Sequence, residues 1–440
     1  MISIEELYQI YLQHPIICTD SRKITKQCLF FALSGERFDG NQFALSAIEQ
    51  GAAYAIVDSE DLPEHPQLLH VEDTLLALQE LAALHRATLS KPVIAITGTN
   101  GKTTTKELVA QVLSSTFNIL YTEGNLNNHI GVPLTLLRLK DEHDFAIIEM
   151  GASKPGDIDE LCQIAQPNYG IITNIGEAHL EGFQSIIGVE RTKGELYAWL
   201  KEHDGKIIRK EDDERLARLG KGIPSVTYGQ SSDAVIQGKL SEQNGVFLAF
   251  QWSAPAINIG IQEQTTQLVG AYNLDNALAA ISLGLFFGIE PSKIVEFIAA
   301  YKPQNSRSQF ILTKLNNKLI ADAYNANPSS MRSAITNFQQ LSTELRKTLI
   351  LGDMNELGAS SEDAHHSIFN DLIEPMLSEN CRVILCGPIW TKLLSSDTRV
   401  TLYSSASELH DALSLEPITD AFILLKGSHG IQLEKIINDL

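Results

Sequence analysis

Between residues 98 and 106 the chain reads Gly98-Thr99-Asn100-Gly101-Lys102-Thr103-Thr104-Thr105-Lys106, the residue types that grip a polyphosphate. Glycines let backbone N–H groups close on phosphate oxygens, and a helix starting there presents its positive end to them. A lysine then reaches the terminal phosphates, and the adjoining hydroxyl serves Mg²⁺. The nucleotide contacts expected on this basis are Gly98, Thr99, Asn100, Gly101, Lys102, Thr103 and Thr104, with Thr103 also a metal ligand. The spacing is G-x-x-G-K-T, shorter than the general G-x-x-x-x-G-K-S/T, which would want glycine where Ile96 stands. Such a loop must be held between a strand and a helix. Residues 93–96 are an apolar run, and Leu108, Val109, Val112 and Leu113 recur at helical spacing. ATP with Mg²⁺ is the cofactor pair this predicts.

Other polar residues fall where α/β sheets gather ligands, at carboxyl ends of strands and starts of helices. Phe145-Ala146-Ile147-Ile148-Glu149 reads as a buried strand ending in a carboxylate, so Glu149 is a partner for Mg²⁺ or water unless it is merely solvated. Residues 170–173 form a strand leading to His179, although a lone histidine is more often a surface or satisfied polar residue. Residues 124–133, with Asn127 and Asn128 between two glycines, form a donor-rich loop before a helical run at 134–139. The segment around Lys193 is helical and densely charged, which by itself describes a solvated face. Residues 269–280 open an Ala/Leu-rich helix with Asn273 and Asn276 one turn apart near its start. Ser21-Arg22 and the 35–41 segment are polar loops that would ordinarily be solvated turns.

The positioning elements imply an α/β protein of several domains. A chain of 440 residues, 44% hydrophobic and 20% charged, is long enough for about three of them. A helix near 74–89 and breaks at Lys91-Pro92 and Lys302-Pro303 divide it. The expected units are a small α/β domain at 1–75, a central P-loop domain at 76–302 and a Rossmann-like α/β domain at 303–440. In the last, strands near 319–323, 348–351, 383–386 and 422–425 alternate with helices near 330–340, 365–377, 407–413 and 431–440, which predicts a mainly parallel sheet. The 34 basic and 54 acidic residues leave a charge of -20, which argues against a nucleic-acid or anionic-membrane surface. Five cysteines without a C-x-x-C pair suggest buried free thiols, neither a disulfide framework nor a zinc site. The N-terminus is not a signal peptide and no segment approaches the roughly 18 apolar residues of a membrane span, so a cytoplasmic location without membrane insertion is expected.

Taken in order, Asp20-Ser21-Arg22, the loop 98–104, Asn125-Leu126-Asn127-Asn128, Glu149, Ala178-His179-Leu180-Glu181-Gly182, Lys193, Asn273 with Asn276, Arg307, Asp322-Ala323-Tyr324-Asn325-Ala326-Asn327-Pro328, Gly352-Asp353-Met354 and Lys426-Gly427-Ser428 resemble the Mur ligase family of peptidoglycan synthesis from end to end. Within it they resemble the branch that adds D-alanyl-D-alanine to UDP-N-acetylmuramoyl-tripeptide. The resemblance implies domains that bind, in order, the UDP-sugar, ATP and the incoming amino compound. It implies a catalytic set of Lys102, Glu149, His179, Lys193 and Arg307, with Glu149 and His179 as metal ligands. Lys193 resembles the lysine that several of these ligases carry as a carbamate next to the metal. Asn273 and Asn276 would approach the nucleotide base, while Arg307 and Asp322 would reach phosphate and ribose from the third domain. Ser21, Arg22, Asn127, Asn128, Tyr324, Asn325 and Asn327 would be substrate contacts in a protein expected to be a monomer. The chain departs from the pattern at Asn41, where relatives often have His, at Lys26-Gln27 and at Asn305-Ser306, where Pro-Gly is commoner.

Two other readings compete. One is a different amide ligase of the superfamily, adding a diamino acid or glutamate; the Asp322 to Pro328 motif argues against it. The other is a nucleotide-operated switch, which has no need of Glu149, His179 and Lys193 as further metal-site residues.

Overall fold

The computed structural model describes residues 1–35, 38–178, 180–241, 245–304 and 306–440. A first parallel sheet takes its strands in chain order, Ile17–Cys18, Leu29–Phe31, Tyr54–Val57 and Leu68–His70. The helix Ile4–Gln13, started by a Ser3–Glu6 capping box, lies against the helix Thr74–Leu89. Leu7, Tyr8 and Tyr11 of the first and Leu78, Leu81 and Ala82 of the second share a core with residues of the central sheet. His85 ties the same contact with polar bonds, to the hydroxyls of Tyr8 (3.2 Å) and Tyr11 (3.4 Å) and to the Leu139 carbonyl (2.8 Å).

The nine-stranded central sheet is ordered Ile259–Val269, Phe247–Ala254, Ile236–Leu240, Ser225–Gly229, Lys206–Lys210, Tyr169–Ile172, Val93–Thr97, Phe145–Glu149, Ile119–Tyr121. It is parallel up to Ile236–Leu240, and the two strands beyond are antiparallel. Val93–Thr97 is buried along its whole length because helices cover both faces. Its side chains alternate between two cores: Ile94 and Ile96 meet Leu108, Val112 and Leu278, whereas Val93 and Ala95 meet Leu161, Leu196 and Leu78.

The third sheet is ordered Gln309–Leu312, Lys318–Asp322, Ala421–Lys426, Arg346–Gly352, Arg382–Cys386, Thr401–Tyr403, parallel except for the first pair. Adjacent parallel strands therefore end together, at Asp322, Lys426 and Gly352, along one edge of the sheet. Among the described residues no helix is long and apolar enough to cross a membrane, and all five cysteines are free and buried.

Three expected helices differ. The run at 134–139 is the helix Gly131–Leu136, because Asn128 Oδ1 accepts from the Ile130 (3.1 Å) and Gly131 (2.8 Å) amides and starts it earlier. The run at 365–377 is a helix Ser361–Ile368, a π turn Phe369–Ile373 and a second helix Glu374–Ser378. Pro375 withholds an N–H there and its ring crowds the preceding turn. The C-terminal run consists of two 3₁₀ segments, His429–Ile431 and Leu433–Asp439, broken at Gln432, whose φ is 62°. Left-handed backbone also occurs at Gln27 (φ 64°) and Ser306 (φ 53°), conformations that favour glycine. Asn305 lies outside the described residues.

Candidate active site

The strand Val93–Thr97 delivers its loop into a cavity of about 960 Å³ between the central and third domains. Gly98 (φ 139°) and Gly101 (φ 79°) hold conformations that disfavour other residues. A Cβ on Gly98 would lie 2.0 Å from Thr173 Oγ1, and one on Gly101 2.5 Å from Asn276 Oδ1. Gly101 caps the helix Lys102–Leu113, whose first internal bond is Thr105 N to the Gly101 carbonyl at 2.8 Å. The amides of Gly101, Lys102, Thr103 and Thr104 therefore have no partner within the helix and form an anion cradle at its positive end. Lys102 Nζ is folded over the loop, donating to the carbonyls of Gly98 (2.9 Å) and Thr99 (3.0 Å). Burial pushes its pKa down, opposed by the carboxylate of Glu149.

Glu149 is 1% exposed at its strand end. Its Oε1 accepts from Asn127 Nδ2 at 2.8 Å, while Oε2 has no hydrogen-bond partner among the described residues. An orphaned buried carboxylate oxygen, in a cavity that Thr103 also lines, is the hard-oxygen donor set Mg²⁺ takes. The residues present thus fit the metal. Asn127 and Asn128 line the cavity with their amides committed, the first to Glu149 and the second to a helix start.

Asn273 and Asn276 sit at the start of the helix Leu274–Phe286, 2% and 7% exposed. Their side chains form a brace: Asn273 Nδ2 donates to the Val269 carbonyl (2.8 Å), Asn276 Nδ2 to Asn273 Oδ1 (2.8 Å), and Thr105 Oγ1 to Asn276 Oδ1 (3.1 Å). Both still line the cavity, and Asn276 buttresses the phosphate loop at Gly101.

The facing wall belongs to the third domain. Arg307 lies flat on Tyr324, its Cζ 3.5 Å from the ring centroid. Asp322 Oδ2 accepts from the buried Lys426 Nζ at 2.6 Å, and its Oδ1 from the Ser308 amide at 3.0 Å. Lys426 Nζ also donates to the Asn325 carbonyl at 3.0 Å, and Ser308 Oγ meets the hydroxyl of Tyr272, on the central wall, at 2.8 Å. Arg307, Asp322, Tyr324, Asn325 and Asn327 all line the cavity.

Three expected residues lie elsewhere. Ser21 and Arg22 are on the first domain and do not line this cavity; Arg22, with its side chain 84% exposed, pairs with Asp20 at 2.9 Å. Lys193 does not line the cavity either; it is 3% exposed, its Nζ 5.6 Å from the Phe183 ring centroid. The densely charged helix here, Ile186–Glu202, is therefore not simply a solvated face. Burial, and then the Lys102 cation, push the Lys193 pKa down to about 7. His179 lies outside the described residues. Asn41 is locked by Asp39 (2.9 Å) and Asp58 (2.7 Å), so the unusual asparagine holds its loop.

Residues not singled out for roles complete the site. Tyr272, Asn174 and Ser329 carry no sequence signal of their own, and Lys426 is part of the resembling motif without an assigned function. Only the sheet order brings Lys426 next to Asp322.

The model of the Mur ligase middle domain matches residues 96–284, that of the Mur ligase glutamate ligase domain residues 306–429, and that of the Mur ligase family catalytic domain residues 15–86. The chain is similar to the UDP-N-acetylmuramoyl-tripeptide–D-alanyl-D-alanine ligase of Bacillus subtilis (strain 168), 36% identical over 434 residues, covering 96% of this chain and 92% of that protein. The corresponding Escherichia coli (strain K12) ligase is 37% identical over 359 residues, covering 79% and 76%. The crystal structure of MurF from Acinetobacter baumannii superimposes with a TM-score of 0.84 at 32% identity, over 96% of this chain and 92% of that one. MurF ligase from Thermotoga maritima in complex with ADP gives 0.84 over 97% of each chain at 24% identity, a likeness of fold.

Proposed function

The chain belongs to the Mur ligase family, and from that premise we propose how its residues divide the work of the reaction. It joins D-alanyl-D-alanine to UDP-N-acetylmuramoyl-tripeptide at the expense of ATP, giving the UDP-linked pentapeptide, ADP and phosphate for peptidoglycan precursor synthesis. A carboxylate is a poor acyl donor until one oxygen becomes a good leaving group. The terminal carboxylate of the tripeptide therefore takes the γ-phosphoryl group, the amine of D-alanyl-D-alanine attacks the acyl carbon, and phosphate leaves from the tetrahedral intermediate as the amide forms.

The free amides from Gly101 to Thr104 cradle the nucleotide phosphates, and Lys102 leaves its loop carbonyls to neutralise the terminal ones. Thr103 and Glu149, with His179, would hold Mg²⁺, which when bound supplies positive charge to the transferring phosphate. Lys193, with its amine about half neutral near pH 7, takes up CO₂ as a carbamate and becomes an anion toward that site. Arg307 faces the phosphates from the other wall, and Asn273 and Asn276 hold the base side of the pocket. Asp322, tied to Lys426, is positioned toward the ribose. Tyr324, Asn325 and Asn327 serve the incoming dipeptide, and Ser21 and Arg22 the UDP end. Both walls come from one chain, so a monomer suffices, and the use of ATP assigns the reaction to the cytoplasm.

The observation that carries this reading is the single cavity shared by the phosphate loop, the orphaned Glu149 oxygen and the Arg307–Asp322–Lys426 wall. The test is phosphate release from ATP, which must require both UDP-N-acetylmuramoyl-tripeptide and D-alanyl-D-alanine. Release with either alone would contradict it. Running diaminopimelate and lysine tripeptides side by side identifies the third residue of the acceptor.

A further inference from the structure

Lys106 stands one helical turn after Lys102 in the helix Lys102–Leu113, yet it is 1% exposed. Burying an ammonium is costly, and an apolar side chain of similar volume would serve a core as well. The carboxylate of Glu107 is 3.7 Å away and also accepts from the Tyr301 hydroxyl. Among the described residues Lys106 Nζ makes one hydrogen bond, 2.8 Å to the carbonyl of Thr122, just past the edge strand Ile119–Tyr121. That carbonyl has left its sheet. The strand Ile119–Tyr121 pairs in parallel with Phe145–Glu149, Tyr121 opposite Ile147, and the Thr122 amide continues the ladder by donating to the Ile147 carbonyl at 3.0 Å. The next rung of a parallel ladder would run from the Glu149 amide to the Thr122 carbonyl. The Glu149 amide instead donates to Thr122 Oγ1 at 3.0 Å, and the carbonyl faces Lys106. The chain then loops out and returns as Asn127, whose Nδ2 donates to Glu149 Oε1 at 2.8 Å and whose carbonyl accepts from the Gly151 amide at 2.7 Å. Residues 122–127 thus hold both the amide and one carboxylate oxygen of Glu149, and Lys106 ties their first residue to the phosphate-loop helix.

We propose that Lys106 is a positioning residue for Glu149: by drawing the Thr122 carbonyl off the ladder it sends the chain into the loop that orients this carboxylate and leaves Oε2 to the metal. One helix thereby carries two lysines with separate work, Lys102 for the phosphates and Lys106 for the carboxylate beside them. Without a donor at 106 the Thr122 carbonyl, in a residue 0% exposed, is stranded unless it returns to the Glu149 amide. That return displaces the hydroxyl and shifts the loop that carries Asn127. The role rests on the reading of Glu149 as a metal ligand.

The test compares ADP binding by titration calorimetry with Mn²⁺ as the probe metal and with EDTA, the ratio of the two affinities being the metal's contribution. Lys106→Met, which keeps much of the volume and removes the donor, should lower that ratio roughly tenfold, the scale of a lost support behind a metal ligand, and leave the metal-free affinity unchanged. Thr122→Val, which removes the hydroxyl under the Glu149 amide, should do the same, whereas Thr122→Ser should keep the wild-type ratio. A wild-type ratio in Lys106→Met, or a loss of metal-free and metal-supported binding alike, would overturn the positioning role. Glu149→Gln separates that role from the reading beneath it. A ratio that falls in Glu149→Gln and not in Lys106→Met overturns the role of Lys106 alone, and a ratio unchanged in Glu149→Gln overturns the metal reading itself. If Lys106→Met loses its cooperative thermal transition, Thr122→Val against Thr122→Ser is read by the same ratio and the same criteria.

Discussion

The two walls of the cleft are built by opposite means. The phosphate-binding part of the central wall is contiguous: residues 99–104 line it in a row and offer chiefly backbone amides at one helix start, with Glu149, Asn127, Asn273 and Asn276 joining from other segments. The third-domain wall is assembled from separate segments whose side chains hold one another, Lys426 on Asp322 at 2.6 Å and Arg307 on Tyr324 at 3.5 Å. A wall of amides depends on backbone shape and tolerates most side-chain changes. A wall of interlocked side chains loses a partner with each substitution, and the group left behind is stranded.

Lys102 is the exception on the central wall, and it should give the largest effect. Lys102→Ala is expected to melt like the wild type, because its Nζ bonds only loop carbonyls, while ligation falls by at least about a thousandfold. Near-normal turnover in the folded variant would reduce that wall to amides alone.

Lys193, buried and outside the cavity lining, tests whether a buried charge supports that wall. Lys193→Ala should lose about a hundredfold in activity, partly restored by acetate or formate, as expected of a lost carboxylate-like partner to a metal site. Uptake of CO₂ needs the neutral amine, so at fixed dissolved CO₂ activation should grow as pH rises through about 7. The unmodified amine has a stability signature as well. The folded protein binds this proton more weakly than the unfolded chain, so stability should rise as pH climbs from about 7 toward the ordinary lysine value of 10.5. Lys193→Met in CO₂-free buffer should flatten that slope, and a slope unchanged in the variant would place its origin elsewhere.

On the third-domain wall, Arg307→Ala should lower kcat roughly tenfold to a hundredfold while leaving UDP-substrate affinity nearly intact. A loss confined to UDP-substrate binding would move Arg307 off the phosphate side. The smallest effect concerns the backbone that carries it. Ser306 precedes Arg307 at φ 53°, and Gln27 holds φ 64° in the first domain. Ser306→Gly and Gln27→Gly should each raise stability by up to about 1 kcal/mol in chemical denaturation, since relief of left-handed strain exceeds the added chain entropy. A loss in either would mean that the side chain itself holds the turn.

The residue order by itself determined the elements whose cause is local. The apolar run at 93–96, the glycines at 98 and 101 and the periodicity of 108–113 are enough for strand, loop and helix, because each is decided by neighbours a few residues away. Periodicity also placed most of the alternating strands and helices of the third domain, but not the π turn at 369–373, where one proline outweighs a helical pattern, nor the 3₁₀ segments that replace the helix expected at 431–440, nor the edge strands Gln309–Leu312 and Thr401–Tyr403. The burial of Lys193 was hidden for a related reason: a charged helix reads as solvated until another element covers it. Only the tertiary structure decided what the cleft's asparagines do. Asn276 braces Gly101 and Asn127 occupies one oxygen of Glu149, so polar residues that read as ligand contacts also serve as supports. The bond between Asn100 and Asn327 joins residues 227 apart, and no local pattern encodes it. A hydrogen bond across two domains depends on where both sheets place their loops, and that is settled only when all the cores pack.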